Sequence, residues 1–185
     1  LQGIRRLIAQ CSFSYTRQRE MVGLGHAILT GRQIVGDEAF GVILADDLCL
    51  TENEAGVMSQ MAEIYQQHKC SVVAIEEVPQ DQVDRYGVIA GDAVTEDLIK
   101  VTDMVEKPPV DAAPSNFAII GRYVLTPDIF DILETLPPGR NGEVQITDAL
   151  MEQAKAGRVL AYKFKGRRID LSLIHISEPT RPFHI

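Results

Sequence analysis

"AFGVILADDLCL", residues 39–50, is the stretch that decides the fold. Its apolar run reads as a core strand over residues 40–45, and it ends on two adjacent acids, Asp46 and Asp47. Carboxylates at the mouth of a buried strand are costly unless something positive meets them. In open α/β sheets, ligands bind beyond the carboxyl ends of the strands, where this pair falls. Two readings stay open on position alone. The acids hold a hard cation such as Mg²⁺, which takes carboxylate oxygens together with substrate phosphates, or they form a helix N-cap or solvated turn.

Outward from that strand, helix and strand signals alternate, the pattern of an α/β sheet. Upstream, "GLGHAILTGRQIVG" reads as a loop entering one short helix that stops at Gly36. Downstream, Thr51 and Glu54 have capping-box spacing, and Val57, Met58, Met61, Ile64 and Tyr65 form a helical apolar stripe. "SVVAI" from Ser71 is the next strand. The middle is more β-like: "YGVIA", a turn at Gly91-Asp92, "LIKVTDMVEKP", then "FAIIGRYVL". Thr126-Pro127 opens a helix as N-cap and first-turn proline, and Leu136-Pro137-Pro138-Gly139 closes it. "ITDALMEQAKAG" is a second helix ending at Gly157, and "VLAYKFKG" a last strand that delivers Arg167, Arg168 and Asp170.

Composition narrows the classes. A length of 185 residues suffices for one domain with a sizeable core. A formal charge of −8 argues against a nucleic-acid partner, whose phosphates attract basic surfaces. A few focused cations can still hold a small anion against that field. Cys11, Cys49 and Cys70 have no CxxC spacing and read as reduced, half-buried thiols in a reducing compartment. No apolar run reaches the length of a membrane span, and "LQGIRRLIAQCSFSY" has no signal-peptide layout, so the expected location is the cytoplasm.

Further segments offer polar groups at strand ends. "RQREMVGLGHA" sets Gly23 and Gly25 at a loop-to-helix junction, where backbone either approaches a flat or anionic ligand or simply turns into a helix. His26 beside them reads as a capping or packing residue. "VEKPP" sets Glu106 beside Lys107; on a strand the two point to opposite faces, one free for sugar hydroxyls and the other for a phosphate, unless the segment is an exposed charged turn. Asn116 offers an amide that both donates and accepts, and Gly87 a point of close backbone approach.

Taken in order, R-Q-x-x-x-x-G-L-G-H-A, L-x-D, Y-G-V-I, V-E-K-P, S-N-x-A-I-I-G-R-Y and E-V-Q-I-T-D-A-L resemble the bacterial UTP–glucose-1-phosphate uridylyltransferases, a family of sugar nucleotidyltransferases. The resemblance runs from about Tyr15 to Asp170. It implies a Rossmann-like α/β nucleotidyltransferase fold with a mixed central sheet, here incomplete. It implies nucleotidyl transfer from UTP to glucose 1-phosphate, giving UDP-glucose and pyrophosphate. By the same resemblance Gln18 and Gly23 contact the uracil. Asp46 and Asp170 bind Mg²⁺, and Asp46 and Lys107 carry the catalysis. Gly87, Glu106, Asn116 and Gly121 line the sugar pocket, where Lys107 meets the sugar phosphate. The positive partner of the strand-end acids is then a metal that arrives with nucleotide, with Asp47 outside the ligand set. Family members commonly self-associate, so a homo-oligomer is implied as well. Two alternatives remain: a non-catalytic relative that binds nucleotide sugar and regulates, and a related thymidylyltransferase.

The family opens with a strand, G-x-G-T-R and a P-K-E segment that are not in this chain. Residues 1–170 therefore read as the central and C-terminal part of the domain, a fragment expected to be inactive by itself. Residues 171–185, "LSLIHISEPTRPFHI", match nothing in the family, resemble translated adapter read-through, and read as a non-native tail.

Overall fold

The structure, a computed structural model, describes residues 2–51, 55–139 and 142–171. The capping-box Glu54 and all but the first residue of the 171–185 tail lie outside the described residues. In chain order the elements are α1 (Gln2–Ala9), α2 (Leu24–Leu29), α3 (Arg32–Val35), β1 (Phe40–Ile43), β2 (Asp47–Leu50), α4 (Val57–His68), β3 (Ser71–Glu77), β4 (Gly87–Ala93), β5 (Leu98–Glu106), β6 (Phe117–Leu125), α5 (Ile129–Thr135), α6 (Ile146–Lys155), β7 (Val159–Lys163) and β8 (Arg167–Asp170). Short 3₁₀ turns fall at Gln80–Arg85 and Val110–Ala112.

A six-stranded mixed sheet runs β1-β6-β3-β7-β5-β4. The β3–β7 pair is parallel and the other pairs antiparallel. Alternation along β3 and β6 divides two cores. Val73, Ile75, Ile119, Tyr123 and Leu125 face the larger one, with Ile129 and Phe130 of α5 and Ala149 and Leu150 of α6. Val72, Ala74, Ile120 and Val124 face the other, covered by Val57 and Met61 of α4. The α4 stripe is therefore core, as its spacing predicts. A sheet buried on both faces explains why β6 reads as a nearly unbroken apolar run.

β6 is also where the site originates. Between the pairs Val73↔Tyr123 and Ile75↔Ile119, β3 advances two residues and β6 four, so β6 bulges at Ile120–Arg122. On its other side β6 changes partner: β1 reaches Ile43↔Arg122, and β4 takes over at Val88↔Ala118. Backbone groups freed there must be satisfied by something other than a ladder. Leu44 N–H donates to the Gly121 carbonyl at 2.9 Å, and the Gly121 N–H donates to Asp47 Oδ2 at 2.6 Å.

Several local expectations are corrected. The first strand stops at Ile43, and Asp47 opens a separate strand, because β2 and β8 form a two-stranded ribbon apart from the main sheet. Arg167–Asp170 is thus its own strand and no extension of β7. Gly166 makes the sharp approach between them, since a Cβ there would lie 2.2 Å from the Leu50 carbonyl oxygen. Gly91-Asp92 is no turn: the β4–β5 register slips at Ala90/Gly91, a bulge only glycine fits because a Cβ would sit 2.0 Å from the Lys100 oxygen. The turn falls later, with Val94 N–H donating to Leu98 O. The predicted helix to Gly36 is two short ones broken at Thr30-Gly31. α4 begins after Gly56, without a side-chain cap. α5 starts after Asp128 and not at Pro127, behind a tight turn in which Ile129 N–H donates to the Thr126 carbonyl and Phe130 N–H to the Pro127 carbonyl, each at 3.1 Å. Of the three free thiols, Cys11 is exposed, Cys49 half-buried and Cys70 buried. Among the described residues no helix is long and apolar enough to cross a membrane.

Candidate active site

The break in β6 opens on a cavity of about 390 Å³. Asp46 and Asp47 reach it from the β1–β2 turn, Tyr86 and Gly87 from the start of β4, and Glu106 and Lys107 from the end of β5. Gly121 and Tyr123 of β6, Thr147 of α6, and Arg168 and Asp170 of β8 complete it. Six of the expected site residues, Asp46, Gly87, Glu106, Lys107, Gly121 and Asp170, therefore share one cavity.

The two strand-end acids divide. Asp47 is buried and spoken for: besides the Gly121 N–H, its carboxylate takes Arg168 Nε at 2.5 Å, and its carbonyl accepts from the Arg122 guanidinium. The positive partner of this acid is thus a guanidinium of the same chain, a correction to the reading in which a metal serves the pair. Arg168 is itself buried and holds Asp170 at 3.1 Å, with Glu76 at 3.7 Å and its guanidinium carbon 5.1 Å from the Tyr86 ring centre. Asp46 is exposed on the turn, and its carbonyl accepts from Leu171 N–H. Among the described residues no group of three acid, His or Cys side chains is placed to hold a metal ion. Two carboxylates, Asp46 and Asp170, do line one wall. That donor set fits Mg²⁺, which keeps waters and phosphates beside one or two carboxylates.

Opposite, Gly87 pairs with Glu106 across β4–β5. A Cβ on Gly87 would meet Thr147 Cγ2 at 2.7 Å and Glu106 Oε2 at 3.1 Å, so glycine keeps this wall open. Thr147 donates to Glu106 Oε2 at 3.1 Å. Burial pushes the Glu106 carboxyl above its ordinary range, against the pull of the Thr147 bond and the Lys107 charge. Lys107 stands at φ 46°, a left-handed conformation rare outside glycine, and its N–H donates to the Tyr86 carbonyl at 2.9 Å. Strand alternation has ended there: its ammonium is 3.9 Å from Glu106 Oε1 and mostly exposed. A loaded non-glycine φ beside a cavity is common at binding sites.

Three expected residues lie elsewhere. Gln18 donates to the Gly23 carbonyl at 3.1 Å and meets His26 Nδ1 at 3.0 Å. This cluster is pinned to the loop before α6, where Gly25 N–H donates to Val144 O and Val144 N–H to Val22 O. Gly23 has φ 100°, and a Cβ would lie 2.6 Å from the Val144 oxygen. Gln18 and Gly23 do not line the cavity; their neighbour Leu24 does. Asn116 is also outside it, its amide donating to the Val78 carbonyl at 3.3 Å. Conversely, Tyr86, Tyr123, Thr147 and Arg168 line the cavity without having been singled out. For Arg168 the signal was its two-residue spacing from Asp170, which puts both on one face of a strand.

A nucleotidyl transferase family model matches residues 3–170, and the chain belongs to that family. It is 62% identical over 170 residues to a UTP–glucose-1-phosphate uridylyltransferase of Pseudomonas aeruginosa, an alignment covering 92% of this chain and 61% of that protein. To one of Staphylococcus epidermidis it is 45% identical over 157 residues, covering 85% of this chain and 54% of the other. Among solved structures, a UDP-glucose pyrophosphorylase complexed with UDP-glucose superposes with a TM-score of 0.89 at 55% identity, covering 92% of this chain and 65% of that one. A UTP-bound enzyme of Acinetobacter baumannii gives 0.78 at 32% identity, covering 92% and 61%. The chain thus spans about 61% of the length of the Pseudomonas relative.

Proposed function

We propose that the full-length protein is a cytoplasmic enzyme that transfers a uridylyl group from UTP to glucose 1-phosphate, forming UDP-glucose and pyrophosphate. The observation that carries this reading is the one cavity in which Gly87, Glu106, Lys107 and Gly121 meet Asp46 and Asp170. The sugar-phosphate oxygen attacks the nucleotide's α-phosphorus, and the protein's work is to position the reactants and neutralise charge. Glu106, its carboxylate oriented by Thr147, accepts hydrogen bonds from sugar hydroxyls. The open wall at Gly87 admits the sugar ring beside it. Lys107, held out by its backbone conformation, meets the sugar phosphate. Asp46 and Asp170 hold Mg²⁺, which when bound offsets charge on the phosphates. Gln18 and Gly23 form the uracil end, and Asn116, outside the cavity, holds the start of β6 through its bond to Val78. Self-association into a homo-oligomer belongs to the same reading.

Pyrophosphate release by the full-length protein tests it. UTP with glucose 1-phosphate supports turnover, and Asp46→Ala lowers it by orders of magnitude. Near-normal turnover of Asp46→Ala removes that residue from the metal site. UDP-glucose binding without pyrophosphate release favours a regulatory relative, and a preference for dTTP over UTP a thymidylyltransferase.

A further inference from the structure

Tyr123 is a buried side chain of the cavity wall whose polar group the reaction as drawn leaves idle. It lies on the same face of β6 as Ile119 and Gly121, is 4% exposed, and packs its ring into the larger core. Its backbone is fixed on both sides, opposite Val42 of β1 and Val73 of β3. The ring is therefore rigid, and the residue lines the cavity. That hydroxyl makes no hydrogen bond with any described residue. A phenylalanine would fill the same slot without presenting a donor to the cavity.

The surroundings say what the hydroxyl meets. Burial, and then the negative charge of Glu106 and Asp47, hold the phenol well above its ordinary pKa, so it remains a proton donor at any workable pH. Those same acids disfavour an anion at its tip. The complementary group is neutral, accepts one hydrogen bond and can pass its own proton to a carboxylate, which describes an alcohol.

We propose that Tyr123 is a specificity-determining residue whose phenol donates a hydrogen bond to a sugar hydroxyl beside Glu106. The inference rests on the cavity being the sugar-phosphate site.

The test is a cycle of Tyr123→Phe against deoxy analogues of glucose 1-phosphate, in the full-length protein, read by pyrophosphate release. Tyr123→Phe should raise KM for glucose 1-phosphate about three- to tenfold, the loss of one neutral hydrogen bond. KM for UTP and the thermal midpoint should not move, because no bond within the protein is lost. The penalty should vanish with one deoxy analogue and persist with the others. An unchanged KM, an equal penalty with every analogue, or a fall in thermal midpoint alongside KM overturns the assignment of Tyr123 while leaving the sugar site standing. Failure of the wild-type protein to bind or turn over glucose 1-phosphate overturns both.

Discussion

Asp47→Ala separates the roles of the two neighbouring acids most sharply. Asp47 and Arg168 are both buried, with side chains 7% and 8% exposed. Removing the carboxylate strands the guanidinium's 2.5 Å partner contact and leaves the Gly121 N–H without its acceptor. Breaking one side of a buried ion pair costs about 3–5 kcal/mol. Arg168 keeps Asp170 at 3.1 Å and Glu76 at 3.7 Å, which places this case at the lower end. The orphaned amide adds about 1 kcal/mol, for a total of about 4 kcal/mol. At roughly 2–4 °C per kcal/mol for a domain of this size, the thermal midpoint should fall by about 10 °C. Asp46→Ala, on an exposed turn, should stay within about 0.5 kcal/mol of wild type. Thermal and urea unfolding of both variants in the full-length protein is the assay. A double variant, Asp47→Ala with Arg168→Met, should recover part of the loss, because the stranded charge is gone. A midpoint for Asp47→Ala within about 2 °C of wild type, or a double variant less stable than the single one, would refute the buried-pair argument.

Glu106 makes a pH prediction with two opposite signs. Its folded pKa is raised by burial above the ordinary 4.5, so its contribution to stability is full below that value and is lost as pH rises through the folded one. Affinity for a ligand that donates to the carboxylate should rise over the same window, and Glu106→Gln should flatten both curves in paired denaturation and binding titrations. Gly87→Ala should weaken glucose 1-phosphate binding at least tenfold with little change in UTP binding, because its Cβ crowds Thr147 and Glu106; isothermal titration with each ligand checks this. Gln153→Leu should cost about 2–3 kcal/mol in urea unfolding, since it strips partners from Ser71, Thr126 and Asp128 at once.

How much of this was legible in the sequence depends on whether the deciding contact is local. Phe117–Leu125 was readable as a strand because both its faces are buried, and α4 because its stripe repeats at helical spacing. The two four-residue strands of the β2–β8 ribbon were not, for each is too short to show a period and exists only by virtue of the other. Gly91 looks like a turn residue, and only the partner strand shows that it is a bulge. Six site residues could be named from motif order, yet the partner of Asp47 could not, because Arg168 lies 121 positions away. Asn116 illustrates the converse: its position beside the strand was readable, its engagement with Val78 was not.

The ribbon also gives the site a place in time. Asp46 and Asp170 are brought to one wall only when β8 docks on β2, a closure between segments as far apart in the chain as Asp47 and Asp170. Long loops are the slowest contacts to form, since their entropy must be lost before any local reward arrives. During synthesis the chain therefore carries the Gly87–Glu106 wall, assembled from the nearby β4–β5 hairpin, well before it carries both carboxylates. A nascent chain can gather the wall built by β4 and β5 but not the pair of carboxylates, so the lining of the cavity is complete only once the polypeptide has been made through Asp170.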